Sequence, residues 1–163
     1  MNSNVKLFRA GKIVAALFCV ALIIELVLQF VCMLWITLVP DKLAYFFEDF
    51  RIWRPFITDM YSFGKATAEL CASMLSYAFA IYFTKAAYDI FTSLEKTNTL
   101  PAEKIKNIGL GIIASAVVIP LVRNMAFSTF VNERYVKDSF DVGMIVIGTL
   151  IFTLSKLLIK KEN

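Results

Sequence analysis

From Ile13 to Val39 only one side chain, Glu25, carries a charge, and the rest of the run is almost entirely apolar. A helix crosses the roughly 30 Å hydrocarbon core of a bilayer with about 20 residues, at about 1.5 Å each. Three further apolar stretches follow, at about 64–84, 108–131 and 140–159. In lipid every backbone N–H and C=O must be satisfied within the segment, which makes each of these a helix. The expectation is an all-α, polytopic membrane protein, a single domain over residues 1–163 with four transmembrane helices. The third run is clean from Ile108 to Val122 and weakens through "RNMAFSTFV", where Arg123 interrupts it. Composition agrees, since 59% of the chain is apolar against about 45–50% in soluble domains.

The same composition removes several function classes. There is no histidine, so the usual general base and the commonest transition-metal ligand are missing. Cys19, Cys32 and Cys71 all lie in apolar runs without CxxC spacing, which suits packing better than a disulfide or a zinc site. The charge of +4 is spread along the chain with no Lys/Arg block, so no nucleic-acid partner is expected. No Ser/His/Asp set, H-E-x-x-H, GxSxG or Walker loop occurs, and "GLG" at 109–111 is too short to hold a phosphate. Catalytic residues, cofactor and metal are therefore all expected to be absent, and the chain reads as a non-enzyme.

The first run is too long for a signal-peptide core, carries Glu25 at its centre and lacks an A-x-A exit, so it reads as a retained helix. Orientation follows from the flanking cations. Ten Lys/Arg fall on the side of the termini and the middle connection, and seven on the other, which places both termini in the cytoplasm. In the first outer loop Phe46, Phe47, Phe50 and Trp53 recur at helical spacing among Lys42, Glu48, Asp49, Arg51 and Arg54. That pattern predicts an amphipathic helix lying in the outer interface, either as an aromatic anchor or as a surface that receives a partner. The inner connection turns within "KTNTLP", with Pro101 opening the next helix.

A charged side chain at mid-membrane costs roughly 3 kcal/mol on insertion scales, so Glu25 should face protein or water. Gln29 and Cys32 share its helical face. Counted along the helices, Glu25 lies roughly 18 Å from the cytoplasmic end, Arg123 roughly 22 Å and Glu69 roughly 24 Å. Glu25, Gln29, Glu69 and Arg123 are thus candidates for one polar cluster in the outer half. Three roles fit it: glue between helices, recognition of another protein's transmembrane helix, or part of an ion or proton path. No second acid at mid-depth and no histidine continue a relay, which ranks transport last. Ala68, Ala72, Ser76 and Ala80 stand four residues apart, a ridge of small residues that lets helix backbones approach closely. The ridge serves packing within the chain or a seam with a partner or a second copy.

Two resemblances follow from these features. The order from Tyr77 to Val122, with "AEKIKNIG" entering a proline-containing apolar run and the chain ending "LLIKKEN", resembles a family of small four-helix bacterial membrane proteins of unknown function. That resemblance implies a fold alone. The size, the four spans, the cytoplasmic termini and "RPFITDMYSFGKATAEL" are similar to the colicin A type of immunity protein. The likeness implies an inner-membrane protein that intercepts the hydrophobic helices of a pore-forming toxin, with the outer surface as contact. The expected function is non-enzymatic recognition of a membrane-inserted protein, and the competing one is a small transporter or channel subunit using the Glu/Arg cluster.

Overall fold

A computed structural model describes residues 3–38, 63–97, 99–131 and 140–162. The described chain is all-α. It forms four helices, α1 (Ser3–Leu38), α2 (Phe63–Thr97), α3 (Ala102–Phe130) and α4 (Val142–Glu162). The amphipathic helix expected around Phe46, Phe47, Phe50 and Trp53 lies outside the described residues. Three helices are long and apolar enough to cross a membrane: α1 over Val5–Leu38, α2 over Gly64–Thr97 and α3 over Ala102–Phe130. The apolar part of α4, Val142–Leu158, is shorter, about 25 Å.

α1 and α3 begin before their apolar runs, at Ser3 and Ala102, and α2 ends well after its own. The apolar segment 64–84 is only part of α2, which runs on through Lys85, Asp89 and Glu95 to Thr97. Charged residues at helical spacing outside an apolar layer cost the helix nothing, so it ends only at the "KTNTLP" turn. The interruption at Arg123 does not break α3, which also continues through Pro120. Proline there withholds one ladder hydrogen bond, to the carbonyl of Ala116.

The extensive contacts join helices that are neighbours in the chain: α1 with α2, α2 with α3, and α3 with α4. We call the end holding Ser3, Thr97 and Ala102 proximal and the opposite end distal. On α1 the covered positions include Phe8, Ala15, Leu22, Gln29 and Ile36, interleaved with Lys12, Cys19, Leu26 and Met33. Both series repeat every seven residues, the spacing that keeps one stripe facing one antiparallel neighbour. Cys32 and Ile36 close that seam distally on Ala66 and Leu70 of α2. The rest of the α1 perimeter is apolar and outward, including Leu17 (67% exposed), Phe18 (60%) and Trp35 (45%).

The α2–α3 seam holds Ala68 against Ala126 and Phe127. Ala68 and Ala72 of the small-residue ridge are buried, whereas Ser76 and Ala80 are half-buried. Backbones meet closely where Gly64 of α2 stands against the Phe130 carbonyl of α3, and again between α3 and α4. A Cβ on Gly109 would stand 2.8 Å from the Gly148 carbonyl oxygen and 2.7 Å from the Phe152 nitrogen, and one on Gly148 2.8 Å from the Gly109 oxygen. Only glycine at both positions permits that contact. From this crossing α3 runs on to Phe130, whereas α4 reaches only to Val142. The distal end of α3 therefore extends about 22 Å past α4.

Candidate functional site

Charged and amide side chains inside apolar helices are the candidates for function, because each must find a partner or water. Glu69 of α2 and Arg123 of α3 find each other: Arg123 Nη2 lies 2.5 Å from Glu69 Oε1. Their side chains stay 24% and 32% exposed. The guanidinium also stands over the Phe127 ring, 5.9 Å from its centroid, within cation–π range. Arginine suits the position because its delocalised charge is weakly hydrated and its fork fits a carboxylate.

Gln29 is resolved differently. It is 1% exposed, and its Oε1 accepts a hydrogen bond of 2.5 Å from Ser73 Oγ of α2. The same hydroxyl has the Leu70 carbonyl at 3.1 Å. A buried amide left without such a partner would cost about 1–3 kcal/mol, so Ser73 sets the register of α1 on α2.

Glu25 stands apart from both. It is half-buried and makes no hydrogen bond or ion pair with any described residue. Glu69 and Ser73 are one turn apart on α2, and Gln29 and Glu25 one turn apart on α1. Glu25 therefore lies about two turns, roughly 11 Å, proximal to the ion pair. The four residues grouped from the sequence thus divide into an α2–α3 ion pair, an α1–α2 amide–hydroxyl bond and a separate carboxyl.

A second charged site occupies the proximal end. Glu95 of α2 accepts from Arg9 Nε at 3.0 Å and from Lys12 Nζ at 2.5 Å, both on α1. Glu95 lies beyond the apolar segment of α2, level with the start of the apolar run of α1. The hydrogen bond from Lys12, then that from Arg9, holds its carboxyl below the ordinary carboxylate range. Lys104 of α3 and Asp89 of α2 pair more loosely, at 3.6 Å with both side chains well exposed. In the sequence Arg9, Lys12 and Lys104 bear on orientation alone, and Asp89 and Glu95 carry no assigned role. The signal that could have paired them is helical spacing: Asp89 and Glu95 continue the pattern of α2 past its apolar part.

Among the described residues no group of three or more His, Cys, Asp or Glu could hold a metal ion. The cysteines are free, and Cys32 is buried in the α1–α2 seam. Chemically, the described polar groups can join helices, hold charge inside an apolar layer, and present charge at the proximal end. No protein-family model, no curated protein and no solved structure matches this chain.

Proposed function

We propose that this is a non-enzymatic integral membrane protein that recognises another membrane-inserted protein by helix packing. In its most concrete form it is an immunity protein against a pore-forming bacterial toxin. It sits in the bacterial inner membrane with four spans, α4 included, and both termini in the cytoplasm, so that the proximal end is cytoplasmic. The observation that carries the reading is the attachment of α1 along one stripe only. Its remaining perimeter, with Leu17, Phe18, Phe30, Val31 and Trp35 outward, is apolar over most of its length and open to an incoming helix. Such a face packs against another helix in lipid through van der Waals contact. A second copy of the chain could use the same face.

The alternative is a small transporter or channel subunit, and it draws on one residue. Glu25 is an acid inside a span, without an ion pair among the described residues, and such groups mark ion or proton paths in other membrane proteins.

A challenge assay separates the two. Cells expressing the chain are exposed to a panel of pore-forming toxins while potassium efflux is followed. The expected result is survival against at least one toxin, lost when Phe18 and Phe30 are both changed to Ala in a chain that still inserts. Sensitivity to every toxin, together with proton flux in liposomes that Glu25→Gln abolishes, would replace the interaction reading with transport.

A further inference from the structure

A hollow of about 420 Å³ opens at the proximal end, between the last turns of α2 and the start of α3. It is separate from the intramembrane groups, and its walls mix polar groups with the methylenes and methyls of the same side chains. Lys96 and Lys104 contribute two ammonium groups, and Asp89 one carboxylate. Asp89 holds Lys104 only at 3.6 Å, with the two side chains 40% and 44% exposed, so the lysine is held loosely. The lining also includes Pro101, where α3 begins; Glu103 in its first turn offsets the positive end of that helix, so the two lysines supply the cationic character.

The hydroxyls in the wall narrow the ligand. Thr92 donates to the Tyr88 carbonyl, Ser93 to Asp89 and Thr97 to Ser93. Each hydroxyl has a single proton, so Thr92 and Ser93 turn oxygen lone pairs toward a further partner, whereas the Thr97 oxygen already has the Thr99 hydroxyl at 2.7 Å and the Thr99 N–H at 3.4 Å. Cations together with acceptors fit a ligand that is anionic at one group and a hydroxyl donor at another. The walls carry no Leu, Ile, Val, Met or aromatic side chain, so an acyl tail finds little to pack against there. Depth agrees with a headgroup. Glu95, beside the hollow on α2, is paired with Arg9 and Lys12, just before the apolar run of α1 begins at Ile13.

The geometry points to a binding site for a phosphodiester bearing free hydroxyls, of the glycerol-phosphate type carried by anionic phospholipids. The phosphate meets Lys96 and Lys104, and the glycerol hydroxyls donate to the oxygens of Thr92 and Ser93. A phosphocholine headgroup offers no donor and brings a cation toward two lysines, so it is rejected. The site is independent of whether the protein recognises a toxin.

The test is lipid retention by the full chain, read by native mass spectrometry from mixed micelles of phosphatidylglycerol and phosphatidylcholine. Preferential retention of phosphatidylglycerol is expected. Lys96→Gln with Lys104→Gln should weaken it roughly tenfold, whereas Lys6→Gln with Lys85→Gln, which removes the same charge elsewhere, should leave it unchanged. Equal retention of both lipids, or equal loss in the two double variants, overturns the site. Glycerol 3-phosphate added in phosphatidylcholine distinguishes the source: competition by the soluble compound at micromolar level supports the site with a free phosphate as its ligand. Should the lysine variant fail to fold, Thr92→Val with Ser93→Ala takes its place. It should remove the preference for phosphatidylglycerol over phosphatidic acid, and a preference kept intact overturns the role of the hydroxyls.

Discussion

Arg123 and Glu69 would each be costly alone in an apolar layer, by roughly 3 kcal/mol on insertion scales. Paired at 2.5 Å across two helices, each supplies the other with a hydrogen-bonded partner of opposite charge. Removing one leaves the other exposed to that cost, softened by the partial exposure of the pair. Arg123→Ala or Glu69→Ala should therefore lower stability by about 1–3 kcal/mol, measured as thermal unfolding in mild detergent. The exchange Glu69→Arg with Arg123→Glu should recover part of the loss, and an exchange no better than the single variants would show that the pair does not act as one. Counting residues along the helices already places these two side chains at nearly one level, and it sets Glu25 lower. The partnership of Gln29 with Ser73 could not be read that way. A serine in an apolar helix looks the same whether it bonds its own preceding turn, as Ser76 does with Ala72, or reaches a neighbour.

Helices are what the sequence displays best, because long apolar runs in lipid leave the backbone no alternative. Their ends are less visible. The apolar segment of α2 stops about 13 residues before the helix does, since hydropathy marks the membrane and helical spacing marks the element. The pairing of α3 with α4 rests on two glycines whose spacing carries no repeat. There the Gly109 and Gly148 backbones meet so closely that an added methyl would strike main-chain atoms at 2.7–2.8 Å. Backbone cannot rotate away as a side-chain tip can, so Gly148→Val should cost about 1–3 kcal/mol through overpacking and move α4 away from α3. A spin-label pair on the proximal ends of these helices would record the separation. An unchanged distance with unchanged stability would mean that the two helices slide past the contact at no cost.

At the scale of the molecule, a chain of pairwise seams replaces a single shared core. Most of the surface of α1 faces outward, and the buried residues fall into separate small clusters, Cys32, Ile36, Ala66 and Leu70 in one and Ala68, Ala126 and Phe127 in another. Hydropathy and cation asymmetry could suggest how many times the chain crosses. They could not show this open order, which depends on which stripe of each helix meets which neighbour.

Because every extensive seam joins helices adjacent in the chain, the order of synthesis is also an order of assembly. When α2 enters the bilayer, everything α1 will grip is already present: Ser73 for Gln29, Ala66 and Leu70 for Cys32 and Ile36, and Glu95 for Arg9 and Lys12. No helix has to wait for a distant one, which is the condition for rapid formation by local contacts. A nascent chain stopped after Leu100 should therefore already hold the native hairpin. With Cys19, Cys32 and Cys71 replaced, Gln29→Cys and Ser73→Cys should cross-link in that fragment as readily as in the full chain. Cross-linking only in the full chain would mean that α3 and α4 are needed to set the first pair. Cross-linking in the fragment makes translation itself the chaperone of this fold, delivering each helix to a surface that is already waiting.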